Sequence, residues 1–154
     1  MSRADAMTRA ATHRAAHAAA SPWADFAPLL ARVLLSLLFI YSGIGKLMGP
    51  EGTMAYIAKA GLPLPMLSYA MALVVELGVA TALLLGWRTR EAAAVMAVFS
   101  VMSALMFHNQ FGDKGQLVQF LKNLAIAGGF VQLMLAPVAP VARWSLDARR
   151  KASR

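Results

Sequence analysis

Four long apolar stretches, separated by short segments that contain Gly, Pro and charged residues, are the main pattern along this chain. They cover residues 29–48, 66–86, 91–107 and 117–136. Each is close to the roughly 20 residues that a helix needs to cross about 30 Å of hydrocarbon. The pattern therefore predicts an all-α fold, an integral membrane four-helix bundle.

The segments outside the four spans divide the chain further. GPEGTMAYIAKAGLPLP, between the first two spans, places Met54, Ile57 and Ala58 at helical spacing before two prolines, which predicts a short interfacial helix. Residues 1–25 contain no continuous apolar run, which disfavours a secretory signal. We therefore expect a flexible basic arm over 1–25, a four-span domain over 26–142 and a basic tail over 143–154.

Composition supports a membrane protein. Of 154 residues, 59% are hydrophobic and 14% are charged, and the mean hydropathy is +0.58, which exceeds the roughly half-apolar composition of soluble domains. The net charge is +8, but the cations outside the spans lie in tails and turns, where anionic lipid is a nearer partner than nucleic acid. Cysteine is absent, which excludes disulfides, thiolate nucleophiles and a Cys pair that reduces a quinone.

The distribution of Lys and Arg predicts the orientation. The arm, the turn between the second and third spans, and the tail together carry ten cations, whereas Lys59 and Lys114 stand alone in the two opposite loops. Cytoplasmic loops carry the excess of positive charge. We therefore expect both termini in the cytoplasm, with Trp23, Trp87 and Trp144 as interfacial anchors on that side.

One face of the first span combines cations with small and aromatic residues. Its members recur every three or four residues: Arg32, Ser36, Phe39, Gly43 and Lys46. Both cations lie near span ends, so one interpretation is that they snorkel to the headgroups.

Glu76 in the second span cannot reach the headgroups. It lies ten residues from either end of the predicted span, about 15 Å from each boundary. Its carboxyl group must point inward toward a partner or remain protonated. Lys46 is the predicted partner, and two interpretations stay open: an ion pair that fixes helix order, or a group that handles protons or a ligand.

More polar residues lie near the end of the third span and the start of the fourth. A compact bundle would bring Lys46, Glu76, His108 and Lys122 together from four helices, with Asn123 nearby, whereas Arg32 fits less well and could serve as an anchor. The methionines of the third span are typical core filler. We predict no metal site.

The chain resembles the DoxX family of small four-span bacterial membrane proteins over about residues 29–147. The resemblance depends on the order and spacing of YSGIGKL, PLPMLSYAMALVVELGVATALLLGWRTR, MFHNQF, QFLKNLAIAGGF and RWSLD. It implies the same polar positions: Arg32, Lys46, Glu76, His108, Lys122 and Asn123. It also implies a location in the bacterial inner membrane. Some members resemble a membrane subunit of thiosulfate:quinone oxidoreductase and others are associated with redox complexes, which implies a redox-associated role.

Together these features predict a redox-associated subunit that binds a quinone or a similar small molecule. Glu76 and His108 would handle protons as the catalytic residues, while Lys46, Lys122, Asn123 and Arg32 would contact the substrate. The alternatives are a non-enzymatic scaffold for a redox complex and a pathway for protons or small solutes. The bilayer and soluble or membrane redox subunits are the expected partners; catalytic turnover, any cofactor beyond a quinone and the oligomeric state stay open.

Overall fold

The computed structural model describes residues 7, 22–135, 145–147 and 149, and no strand occurs in this part of the chain. Five helices follow the apolar pattern: α1 (Pro22–Met48), α2 (Pro50–Lys59), α3 (Pro65–Leu85), α4 (Thr89–Phe107) and α5 (Lys114–Leu135). All except α2 are long and apolar enough to cross a membrane. The predicted four-span bundle and the short helix after the first span are confirmed.

Proline and glycine set several helix boundaries. Pro50 and Pro65 occupy the first positions of α2 and α3, where the missing N–H has no intrahelical partner to lose. Gly86 ends α3 with a φ of +67°, a left-handed conformation that glycine adopts without strain. α1 begins at Pro22 rather than at residue 29. It therefore includes the end of the segment predicted as a flexible arm.

Neighbouring spans run antiparallel. Near its start, α1 contacts Gly86 after the end of α3, and farther along it packs Gly43 against Leu77. We call the end with the α1–α2 and α4–α5 connections the loop end, and the end with the start of α1 and the α3–α4 turn the terminal end. This up-and-down order is typical of bundles with short connections.

The core combines small residues with a few large ones. Six alanines from α3, α4 and α5 are buried, and four of them pack in one cluster with Phe39, Leu83, Met96 and Phe130. Small residues let membrane helices approach closely. The Phe39 and Phe130 rings lie 5.6 Å apart between centroids. Large apolar side chains such as Leu34, Leu37 and Val98 are exposed, as expected where helices face acyl chains.

Most of the predicted arm and tail lies outside the described residues. The arm is described only at residues 7 and 22–25, and the tail only at 145–147 and 149. The orientation of the termini therefore stays a prediction. Of the three predicted anchors, Trp87 is 46% exposed, while Trp144 and the side chain of Trp23 lie outside the described part.

Candidate polar site within the bundle

An ion pair joins α1 to the middle of α3. Lys46 Nζ lies 2.9 Å from Glu76 Oε1 and 2.8 Å from Oε2, and it also donates a 2.7 Å hydrogen bond to Ser42 Oγ one turn earlier. The Tyr69 hydroxyl donates to the Lys46 carbonyl oxygen at 3.3 Å. The predicted pairing of Lys46 with Glu76 is confirmed, and the lysine is held against α3 rather than extended to the headgroups.

The backbone around Glu76 is not α-helical. Residues Val74–Val79 form a π-helical segment within α3, and the Ala80 N–H donates to the Val75 carbonyl five residues earlier. π-helical turns are rare and occur frequently at functional sites. The wider turn therefore presents the carboxylate from a segment whose geometry differs from the helix on either side.

Gly43 allows α1 to approach this segment closely. A Cβ atom built on Gly43 would lie 2.7 Å from Leu77 Cδ2, 2.8 Å from Leu77 Cγ and 3.1 Å from Glu76 Cβ. A side chain at position 43 would therefore force the Leu77 side chain and the Glu76 Cβ atom to shift. The glycine therefore brings Lys46, one turn farther along α1, within reach of the carboxylate.

Burial and hydrogen bonding limit what the pair can do. The Glu76 side chain is 6% exposed, whereas the Lys46 side chain is 25% exposed. A lysine ammonium has three N–H donors, and the Ser42 hydroxyl and two Glu76 oxygens provide three acceptors. A ligand that accepts a hydrogen bond from Lys46 would have to displace one of them. The pair can hold an anionic or carbonyl oxygen only through such an exchange.

The other predicted residues at the loop end make no hydrogen bond or ion pair with Lys46 or Glu76 in the part of the chain that the structure describes. His108 is half-buried at the C-terminus of α4, where its Nδ1 lies 2.9 Å from Gln116 Oε1 of α5. Lys122 is exposed and Asn123 is half-buried on α5. The structure therefore pairs two of the four residues expected to converge, and the convergence of His108 and Lys122 with them stays a prediction.

Arg32 lies at the terminal end and is not part of this site. Fourteen residues separate it from Lys46 on α1, about 21 Å at the helical rise. Its side chain is 1% exposed and packs against Gly86 and Ser145, so the interpretation that it snorkels to headgroups is wrong. Its Nε donates to the Pro28 carbonyl at 3.3 Å.

Sequence reasoning missed three contributors to these sites. Ser42 stands four residues before Lys46 on the same helix face, a spacing that could have identified it. Tyr69 contacts Lys46 at the ion pair, and Asp147 contacts Arg88 at the terminal end. Both pairs are distant in sequence, and no local pattern predicts such contacts.

These features define a small multi-pass membrane protein whose spans enclose a buried ion pair. The DoxX family model matches residues 27–109. The chain is 39% identical over 123 residues to "Inner membrane protein YqjF" of Escherichia coli (strain K12), which covers 80% of this chain and 91% of that protein. It is 37% identical over 126 residues to "Inner membrane protein YphA" of the same strain, covering 79% and 88%.

The chain therefore belongs to the DoxX family of inner membrane proteins. The residues that match the family model include the ion pair and the π-helical segment. Lys122 and the rest of α5 lie beyond them. No solved structure matches the chain.

Proposed function

We propose that this protein is a redox-associated membrane subunit that binds a quinone, or a similar small molecule with a carbonyl or anionic oxygen, at the Lys46–Glu76 pair. One observation carries the proposal. The buried Glu76 carboxylate, on a π-helical segment, is paired with Lys46, whose side chain remains about a quarter exposed. Ionisable groups within spans are costly and mark functional sites by default. The exposed part of Lys46 is where a ligand would approach.

In this proposal the ligand exchanges with the existing hydrogen bonds. Lys46 donates to a ligand oxygen in place of Ser42, and Glu76 accepts a hydrogen bond or a proton from a ligand hydroxyl. Both contacts use groups that already lie within hydrogen-bond distance of each other. An anionic ligand oxygen would accept a stronger hydrogen bond from the Lys46 ammonium than the neutral Ser42 hydroxyl that it replaces.

Lys122 is proposed to flank the same site. The contact between Phe39 and Phe130 fixes the relative position of α1 and α5. About two turns farther toward the loop end, α1 carries Lys46 and α5 carries Lys122 and Asn123, so the two lysines have similar depths. We assign Lys122 and Asn123 to the entrance, and we assign proton exchange with the loop side to His108.

A partner subunit is proposed as the electron donor. The chain has no cysteine, so neither a thiol relay nor a cysteine-ligated cluster can supply electrons from this chain. A soluble or membrane redox subunit would fill that role.

The test is direct binding of a short-chain quinone to the purified protein in lipid nanodiscs, measured by native mass spectrometry. We expect one-to-one binding that Lys46→Gln weakens at least about tenfold, since a charged hydrogen bond contributes about 1.5–3 kcal/mol. The matched control is Lys59→Gln, which removes an exposed lysine at the end of α2. Equal affinity in the two variants would exclude this site.

A scaffold function is the second candidate, and the saturation of Lys46 favours it. All three ammonium donors already have acceptors within the protein, as expected for a pair that only fixes the packing of α1 on α3. In that case the purified protein would bind no quinone. Redox proteins would still copurify with it after Lys46 and Glu76 were replaced together by apolar residues.

A further inference from the structure

A second polar cluster lies at the terminal end, far from the ion pair. Its centre is the N-terminus of α4, where Asp147 from the C-terminal segment accepts hydrogen bonds through both carboxylate oxygens. Oδ1 accepts from the Arg88 N–H at 2.9 Å, and Oδ2 accepts from the Thr89 N–H and hydroxyl at 2.8 Å each. A carboxylate is stable there because helix N-termini carry unpaired N–H groups and a partial positive charge.

The same segment is fastened to the turn before α4. The Asp147 N–H donates to the Gly86 carbonyl at 3.0 Å. Ser145 packs against Gly86 and is 1% exposed. Residues 145–147 thus form a short segment, which we call the lid, and four hydrogen bonds join Asp147 to the α3–α4 turn and to the first residue of α4.

Arg32 lies beneath this lid, and two of its guanidinium nitrogens have no hydrogen-bond acceptor among the described residues. Its guanidinium contacts Gly86, and Asp147 acts on it electrostatically. Nη1 and Nη2 are buried, and neither has a hydrogen-bond partner among the residues that the structure describes. Buried N–H donors without acceptors are costly. The planar fork of a guanidinium matches two oxygens of a carboxylate or a phosphate.

We propose that Arg32, the Arg88 and Thr89 amides and the Thr89 hydroxyl form a binding site for a phosphate group, which Asp147 closes when the lid is docked. The carboxylate of Asp147 occupies the helix N-terminus as a phosphate would, but its two oxygens serve donors of α4 and leave the Arg32 fork unpaired. A phosphate has enough acceptor oxygens for both sets of donors. Phosphate binding and docking of the lid therefore exclude each other.

Anionic phospholipid and free phosphate share this chemistry. The site lies at the end of the membrane spans beside Trp87, which is 46% exposed. Tryptophan is enriched at the headgroup level, the depth at which lipid phosphates lie. A comparison of phosphatidylglycerol with inorganic phosphate separates the two sources.

Because the chain contains no cysteine, one introduced cysteine can report whether the lid is docked or open. In the 154-residue chain, Ser145→Cys places one thiol at the buried lid position. Leu146→Cys, at a neighbouring position that is 40% exposed, is the accessible reference. The rate of maleimide labelling is measured in maltoside micelles alone, with phosphatidylglycerol and with inorganic phosphate. Asp147→Ala in the Ser145→Cys background removes both acceptor oxygens that hold the lid and gives the labelling rate of the open lid.

We expect phosphatidylglycerol to raise labelling at position 145 at least about fivefold, since a state populated to roughly a tenth would become roughly half-populated. Arg32→Gln should abolish the rise, and Arg32→Lys, which keeps the charge but loses the fork, should reduce it. Arg90→Gln, which removes another arginine at the same end, should not change it. A rise with inorganic phosphate as well would identify the free ion as a sufficient ligand.

Two results would overturn the proposal. In the first, phosphatidylglycerol and phosphate both leave labelling at position 145 unchanged while Asp147→Ala raises it. In the second, Arg32→Lys and Arg90→Gln respond to the lipid equally, which would indicate general attraction of an anionic lipid to a basic surface.

Discussion

At the residue scale, the arrangement around Lys46 depends on the lack of a side chain at Gly43. Two α1 glycines offer a comparison: a Cβ atom on Gly43 would press on Leu77 and Glu76, whereas a Cβ atom on Gly45 meets no described residue within 4 Å. Both glycines lie within the helix. A comparison of alanine substitutions at the two positions therefore separates the effect of close helix packing from the effect of helix propensity.

We expect Gly43→Ala to destabilise the protein by about 1–3 kcal/mol, because an added methyl group overpacks the contact between α1 and α3. Gly45→Ala should be neutral or stabilise by up to about 1 kcal/mol, since glycine is a poor helix former. Denaturant unfolding in mixed micelles measures both. Equal effects of the two variants would contradict the close approach at Gly43.

Residue patterns in the sequence predicted part of the site. The spacing of Arg32, Ser36, Phe39, Gly43 and Lys46 identified the inward face of α1, where four of the five residues are buried. The depth of Glu76 predicted a partner. Spacing could not show whether Lys122 and His108 face the ion pair, because the direction of a side chain in a bundle depends on how its helix is rotated about its axis.

At the element scale, the π-helical segment of α3 gives Glu76 its position. Hydrogen bonds between residues i and i+5 accommodate one more residue per turn than α-helical bonds. Gly78 is an exposed member of this segment, and a Cβ atom built on it would meet no atom of the described residues within 4 Å. Removal of Gly78 should therefore convert the segment to α-helix while both flanks of α3 keep their faces.

We expect the Gly78 deletion to fold, with a cooperative thermal transition and a helical circular dichroism spectrum. It should bind quinone more weakly because the carboxylate rotates away from Lys46. Deletion of Thr81, an exposed residue in the α-helical part of α3, is the control, since it turns the following residues by about 100° and exposes Leu83, which is fully buried. If both deletions unfolded the protein, the extra residue would not be a local feature of the π segment.

No element-scale pattern in the sequence predicted the π segment. VVELGV is as apolar as the rest of α3. Its sequence therefore does not differ visibly from that of the α-helical flanks on either side. The helix boundaries were easier to predict, because Pro50, Pro65 and Gly86 are themselves the residues that begin and end helices.

At the scale of the whole molecule, the order of four spans was predictable from apolar length alone. The orientation prediction depends on the excess of Lys and Arg at the terminal end. Lys114 at the loop end and Arg90 at the terminal end are exposed, and the chain has no natural cysteine.

Single-cysteine variants at these two positions test the orientation. A membrane-impermeant maleimide added to intact spheroplasts should label Lys114→Cys, whereas Arg90→Cys should react only after the membrane is opened. Labelling in the opposite order would place the termini outside the cytoplasm.

The central claim is that Lys46 and Glu76 stabilise each other within the bundle, and a double-mutant cycle tests it most directly. Lys46→Met alone should cost about 3–5 kcal/mol of unfolding free energy, since it leaves a buried carboxylate unpaired. Combination with Glu76→Gln should recover at least about 1 kcal/mol. The same cycle on Arg88 and Glu91, an exposed pair 3.1 Å apart, is the reference, and its coupling should be much smaller because solvent screens exposed ion pairs. A Lys46–Glu76 coupling no larger than that of the exposed pair would contradict the account.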